Sequence, residues 1–186
     1  MALKSTVFKA ELQVADMDRH HYETHALTIA RHPSENDQRM MVRVLAFALY
    51  ADDALAFGRG LSSEDEPALW KKDLTGAIEL WIDLGQPDEK DIRRACGRAV
   101  EVVLVTYGGP PAEVWWEKNA DKLARLDNLT VLNLSAAEGA ALAGLAERNM
   151  SLQATIQDGS VLLTGGGQAI EVHPKRWKTA GAEVRA

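Results

Sequence analysis

The stretch Asp73-Leu-Thr-Gly-Ala-Ile-Glu79-Leu-Trp-Ile-Asp83-Leu-Gly carries carboxylates at spacings that suit a metal site. A Thr-Gly turn after Asp73 brings it beside a segment in which Ile78, Leu80, Ile82 and Leu84 alternate with Glu79, Trp81, Asp83 and Gly85. That is the period-two signature of a strand with one apolar face and one carboxylate-bearing face. Mg²⁺ is a hard cation that takes oxygen ligands, uses one or two protein carboxylates and keeps waters for a substrate phosphate. The reaction class this face suits is therefore metal-assisted phosphodiester chemistry with Mg²⁺ or Mn²⁺. The same alternation also describes the solvated face of an edge strand. Upstream, extending the helical stripe Met41, Leu45 and Ala48 backwards reaches Gln38 and then Glu35, which turns polar groups toward the sheet. A carboxylate there is costly to bury unless it is paired or metal-bound; at the surface it is favoured by the helix dipole.

The elements that must position these residues are legible from period and caps. Strands are expected at 4–14, with Val7, Ala10, Leu12 and Val14 inward, and at 22–31, followed by a helix from Ser34 to about Ala51 in which Asp37 completes a weak capping box. A short strand at 55–58, an acidic loop at 62–67 and a segment around Trp70 lead into the strand at 78–84. Asp88 caps a helix with the buried stripe Ile92, Ala95, Cys96 and Ala99, with Arg93, Arg94 and Arg98 off that stripe, and a β-branched strand follows at 100–107. Beyond Gly108-Gly109-Pro110-Pro111 come a helix at 112–126, a strand at 129–134, a helix from Ser135 capped by Glu138, a hairpin at 150–157 and 160–164, and a last strand near 169–172. The fold class is α/β with a mixed sheet, the second half elaborating one sheet of a single domain over 1–180, with 181–186 a frayed tail.

Composition bounds the functions. With 21 basic and 27 acidic residues the net charge is −6, so no global positive field draws the chain to nucleic acid or anionic lipid. The 46% hydrophobic and 26% charged content excludes general disorder. The single Cys96 cannot form an internal disulfide, the N-terminal segment lacks a signal-peptide block, and no apolar run approaches the ~20 residues of a membrane span. A cytoplasmic monomer without membrane attachment is expected.

Other motifs read as structural. His21-Tyr-Glu-Thr-His25 has the i, i+4 histidines of a zinc helix but lies in an expected strand and lacks the glutamate directly after the first histidine, so solvated histidines are expected. Trp115 and Trp116 are adjacent on a helix, which suggests one core and one partly exposed indole rather than a base-stacking pair. Gly165-Gly166-Gly167 lacks the Lys-Ser/Thr of a phosphate loop. Lys175, Arg176 and Lys178 around Trp177 form a small basic end, and Cys96 lacks the surroundings of a nucleophile.

Four segments carry a family resemblance: Ala30-Arg31-His32-Pro33-Ser34-Glu35; Asp65-Glu66-Pro67 with Trp70; Trp81-Ile82-Asp83-Leu84-Gly85-Gln86-Pro87-Asp88; and Leu152-Gln153-Ala154-Thr155-Ile156-Gln157-Asp158-Gly159. They resemble signature stretches of the bacterial YaeQ family, in order, within a similarity running from Met1-Ala2-Leu3-Lys4 to Trp177. The resemblance implies a variation on the PD-(D/E)XK restriction-endonuclease-like fold, with an additional C-terminal β-hairpin and flanking helices. It further implies metal binding by Asp73, Asp83 and Glu35; Gln38 from the helix stripe, Glu79 from the strand face and Arg94 as a displaced cation complete the candidate catalytic set. The chain departs from the motif at its lysine. Gly85 stands there, or Trp81 if the motif is read from Glu79, so a migrated Arg94 or Lys72 would have to supply the cation. Two functions are compatible with this: a Mg²⁺-dependent nuclease-like phosphodiesterase acting on nucleic acid, and a non-catalytic binding module of the same fold for a protein or nucleic-acid partner.

Overall fold

The computed structural model describes residues 4–181. In chain order its elements are β1 (Thr6–Asp16), β2 (His21–Arg31), α1 (Asp37–Leu49), β3 (Leu55–Phe57), β4 (Leu69–Lys72), β5 (Ile78–Leu84), α2 (Glu89–Arg98), β6 (Ala99–Thr106), α3 (Pro110–Leu123), β7 (Leu129–Asn133), α4 (Ala136–Ala143), β8 (Asn149–Gln157), β9 (Ser160–Gly165), β10 (Gln168–Val172) and β11 (Lys175–Lys178), with a 3₁₀ turn at Gly60–Ser62. The class is mixed α/β, as expected, but the strands form two sheets rather than one. The chain divides into two compact units, residues 4–52 with 137–173 and residues 53–136 with 174–181.

In the first unit the sheet runs β10-β9-β8-β1-β2. β1 pairs with β2 across a tight antiparallel turn and with β8 in parallel, from Lys9 opposite Asn149 to Asp16 opposite Ile156. This parallel pairing gives β8, β9 and β10 a sheet of their own with β1 and β2, which corrects the expectation that they extend the sheet of the middle of the chain. Alternation sets the faces: Phe8, Ala10, Leu12 and Val14 of β1, Leu27 and Ile29 of β2, and Met150, Leu152, Ala154 and Ile156 of β8 are buried. Val7, expected inward, is 46% exposed, because the parity that buries Ala10, Leu12 and Val14 puts Phe8 inside instead. α1 starts two residues later than Ser34 suggests. Asn36 is its cap, accepting from the Arg39 N–H at 2.9 Å, while Ser34 is held in a local turn by the His32 Nδ1. Every residue from Met40 to Ala48 is buried, so α1 is enclosed all round rather than along one stripe.

In the second unit the order is β11-β7-β6-β5-β4-β3. β3, β4 and β5 form an antiparallel meander, whereas β5, β6 and β7 are parallel. Parallel neighbours require crossovers, supplied by α2, which starts at its Asp88 cap, and by α3. Trp81, Ile92, Ala95, Val102, Leu104, Leu123, Leu129 and Val131 cluster beneath them. Trp115 and Trp116 both pack on this cluster, correcting the one-in, one-out expectation. Trp115 Nε1 donates to the Pro87 carbonyl at 3.0 Å and Trp116 stacks on Trp177 with centroids 5.4 Å apart. The basic end around Trp177 is strand β11, paired with β7. Lys178 Nζ donates to the Leu126 and Leu129 carbonyls at 2.7 and 3.1 Å, and burial lowers its pKa. Of the expected frayed tail, Gly181 is held by an N–H bond to the Asp127 carbonyl at 2.8 Å, and residues 182–186 lie outside the described residues. Burial pushes the Cys96 thiol up to about 11, which disfavours the reactive thiolate at neutral pH. No helix among the described residues is long and apolar enough to cross a membrane.

A carboxylate ties two turns of the first unit together. Asp18, in the β1–β2 turn, accepts from the backbone N–H groups of Asp158 and Gly159 in the β8–β9 turn at 2.7 and 2.8 Å. The Gly159 and Asp158 bonds hold its pKa below the ordinary 3.8. A depressed folded pKa contributes stability that is present above the unfolded value and lost as pH falls through the folded one. Asp18→Ala should therefore lower stability in urea unfolding at pH 7, and its deficit relative to wild type should shrink as the pH is taken below 3.8. A deficit independent of pH would show that the charge of Asp18 is not what holds the two turns.

Candidate functional site

The β4–β5 turn is built by Asp73. Its Oδ1 accepts from the Thr75 N–H at 2.8 Å, the Thr75 Oγ1 at 2.6 Å and the Ala77 N–H at 3.0 Å, and its own N–H donates to the Ala77 carbonyl at 2.9 Å. These bonds, the Thr75 hydroxyl first, lower its pKa. Asp73 is exposed and serves as the acceptor of an Asx turn, the arrangement that Asp-x-Thr-Gly favours.

Asp83 lies near the other end of β5. It is half-buried and accepts from the Trp81 indole Nε1 at 2.7 Å on the same strand face. The turn carrying Asp73 closes before Ile78, so the backbones of Asp73 and Asp83 stand at opposite ends of the Ile78-to-Asp83 run of extended chain, roughly 17 Å along the strand, and among the described residues their carboxylates join no group of three or more ligand atoms. The expected convergence of these two carboxylates does not occur. Glu79 lies between them in sequence and pairs with Lys71 Nζ at 3.4 Å. A shared Mg²⁺ requires oxygens about 2.1 Å from the ion, and residues so arranged do not fit one.

No cation occupies the motif-lysine position on this strand. Gly85 follows the end of β5 with φ +86°, a left-handed conformation that lysine adopts only with strain. Lys72 sits over the Trp70 ring at 3.7 Å, and Arg94 forms an exposed pair with Asp91 at 2.9 Å.

Glu35 and Gln38 belong to the first unit. The Glu35 side chain is 2% exposed, and its carboxylate is bound by arginines. Oε1 accepts from Arg39 Nη1 at 2.9 Å and Arg43 Nε at 2.8 Å, and Oε2 accepts from Arg43 Nη2 at 2.6 Å. Arg43 also donates to the Ala30 carbonyl at 3.2 Å, and burial, opposed by Glu35, lowers its pKa. Of the two placements open to Glu35, toward the core or at the surface, the structure shows the buried one, and its partner is the buried guanidinium of α1. Gln38 is half-buried against Gly139, where an added Cβ would meet its Nε2 at 2.2 Å.

Among the described residues, a single group of three or more potential ligand side chains has its donor atoms within 4.8 Å of one another: His21, Glu23 and His25 on β2. The i, i+4 histidines were legible, but on a strand the relevant spacing is i, i+2, i+4, which puts all three on one face.

The family model for YaeQ protein matches residues 1–174. The chain belongs to the YaeQ family. It is 46% identical over 178 residues to an uncharacterized YaeQ protein of Escherichia coli strain K12 and equally to one of Salmonella typhi, covering 96% of this chain and 98% of each relative. The crystal structure of YaeQ protein from Xanthomonas axonopodis pv. citri superposes with a TM-score of 0.92 at 50% identity, covering 94% of this chain and 99% of that one. YaeQ protein from Pseudomonas syringae gives 0.91 at 36% identity, covering 96% and 98%.

The segments that carry the YaeQ resemblance have identifiable physical work in this chain. Ala30 to Glu35 supplies the carbonyl and carboxylate that receive Arg43. Trp81 to Asp88 supplies the indole–carboxylate bond, the left-handed Gly85 and the α2 cap, and Leu152 to Gly159 supplies β8 and the turn that Asp18 holds. Glu35→Gln should destabilise this YaeQ chain by about 3–5 kcal/mol, because it strips a buried guanidinium of its counter-charge. Replacing Glu35 and Arg43 together by Met should recover most of that loss in denaturant titrations. A near-neutral Glu35→Gln would show that the pair is dispensable.

Proposed function

We propose that this YaeQ-family chain is a non-catalytic binding module built on a PD-(D/E)XK-like core, with a protein partner. The observation that carries this reading is the separation of Asp73 from Asp83, each engaged in its own hydrogen bonds, with a left-handed glycine where the motif needs a cation. The metal-dependent hydrolysis that the resemblance implies needs carboxylates converging on an ion and a cation on the developing phosphorane charge, and such an arrangement offers neither. The net charge of −6 weighs against a polyanionic partner and for a protein. Leu74, fully solvated at the β4–β5 turn, and Val100, 74% exposed near the start of β6, are apolar contacts available to it.

The competing reading, a Mg²⁺-dependent nuclease, draws support from chain order. A helix, an antiparallel meander, a crossover helix and a parallel strand follow one another from α1 to β6, the order that the resemblance implies. That reading requires the Asp73 turn to open and a basic residue to move in.

Titration calorimetry with Mg²⁺ and Mn²⁺, beside cleavage assays on single- and double-stranded DNA and RNA, separates the two. The binding-module reading expects no Mg²⁺ or Mn²⁺ uptake that Asp73→Asn with Asp83→Asn removes, and no cleavage; cleavage that Asp83→Asn abolishes with the fold intact would overturn it. Gly85→Lys, which supplies the motif cation, should create no cleavage and should cost about 1–2 kcal/mol through the left-handed backbone. In-cell crosslinking should capture a protein partner that is lost with Leu74→Asp and Val100→Asp.

A further inference from the structure

We propose that His21, Glu23 and His25 form a binding site for a divalent transition-metal ion of the zinc class. The proposal is independent of the binding-module reading. It concerns a strand of the first unit and uses none of the residues on which that reading rests.

Strand geometry brings the three together. Side chains two apart on a strand share a face, so His21, Glu23 and His25 project side by side from β2, with Glu23 in the middle. β2 is the edge of its sheet, and its only strand neighbour is β1, where Asp16, Val14 and Leu12 stand opposite the three in turn. Leu12 and Val14 are buried and give the cluster an apolar floor, while the Asp16 carboxylate is engaged by Arg19 at 2.7 Å. The His25 ring meets Phe47 of α1 edge-on, with centroids 5.2 Å apart and planes at 71°, which helps fix its orientation. Both histidines are half-buried and Glu23 is exposed, so the group is held from below and open to solvent above.

The two imidazoles do not diverge toward water. Their planes are within 12° of parallel, and their Nε2 atoms stand 2.9 Å apart. At that separation the nitrogens cannot both carry a proton on the facing side. One ring nitrogen donates its N–H to the other, so the pair shares a single proton that a bound cation would displace. Two nitrogens bound to the same tetrahedral Zn²⁺ at about 2.0–2.1 Å stand roughly 3.3 Å apart, so the hydrogen-bonded pair must open by a few tenths of an ångström and turn both rings toward a common point to admit the ion. The Glu23 carboxylate, within 4.8 Å of both, requires only a side-chain adjustment at an exposed position to join them.

The donor set selects the ion. Two imidazoles and one carboxylate suit zinc, nickel, copper or cobalt and are poor for Mg²⁺, which demands oxygen. Charge agrees, since the single carboxylate offsets part of the dication while two neutral imidazoles supply nitrogen lone pairs. Three protein ligands leave a position for water, so the site is open rather than closed.

The test uses the full chain stripped with a chelator. Equilibrium dialysis should find one Zn²⁺ bound per wild-type chain, and Co²⁺ should give the visible absorption of a low-coordinate nitrogen–oxygen site, with Mg²⁺ failing to compete. His21→Gln with His25→Gln should abolish both signals, and Glu23→Gln should weaken Zn²⁺ binding and shift the Co²⁺ spectrum. Circular dichroism checks the fold; if the double variant is unfolded, His21→Gln alone carries the test and should lose the Co²⁺ spectrum. No Zn²⁺ binding by wild type below millimolar concentration would overturn the proposal. So would equal binding by the folded histidine variant, which would assign the ion to His20, His32, His173 or another surface group.

Discussion

A single buried guanidinium constrains the first unit. Arg43 sits in the middle of α1, where every residue from Met40 to Ala48 is shielded from water, and a charge in that position must be answered by another. Glu35 answers it from just before the helix, and this requirement explains several local features at once. The chain must leave β2 so that the Ala30 carbonyl and the Glu35 carboxylate both reach the guanidinium. The helix therefore cannot begin at Ser34, and its cap falls to Asn36. Such a pair adds little net stability over a well-packed apolar substitute, but it penalises every arrangement in which the strand exit and the helix are out of register.

The same economy governs the acidic residues of the second unit. Asp73 gives its Oδ1 to three donors in the β4–β5 turn, and Asp83 accepts the indole N–H of the buried Trp81. A carboxylate engaged in this way is not idle polar surface. The Asp73 turn lets β5 return antiparallel to β4, and the Asp83 bond satisfies an indole donor inside an apolar cluster, where an unpaired N–H is costly. Residue types that a metal site needs are thus also the types that turns and buried donors need, and only the distances between them separate the two uses.

This is why the fold was more legible than the site. Period-two and period-three-to-four patterns depend on neighbours in sequence, and most strands and helices fell within a few residues of where those patterns put them. The division into two sheets was not legible, because it depends on Lys9 pairing with Asn149 across most of the chain, and no local pattern encodes a partner that distant. β11 escaped notice because Lys-Arg-Trp-Lys is charged and short, and its pairing with β7 decides its structure. At the candidate site, the sequence leaves Glu35 open between a core-facing and a surface position, and the structure buries it. The spacing of four between Glu35, Arg39 and Arg43 already contained its partners, had it been read for ion pairs rather than metal, although Glu35 itself lies before the Asn36 cap. The distance between Asp73 and Asp83 depended on where the turn closes, a matter of one hydrogen bond between Asp73 and Ala77.

The histidines of β2 follow the reverse course, since the feature that argued against a zinc helix is the one that assembles them. On a helix His21 and His25 would share a face while Glu23 pointed away; on a strand all three align. An exposed edge strand has its own need for polar and charged inward-facing residues, which discourage pairing with another chain. That need would be met by histidines pointing anywhere. It does not by itself set two Nε2 atoms 2.9 Å apart with a carboxylate beside them; that contact is an imidazole–imidazole hydrogen bond, and the single proton it holds is what a bound metal ion would replace. Two ring nitrogens and a carboxylate within reach of one another are what a ligand set requires and what edge protection does not, and on that ground the cluster is better understood as a site than as a margin.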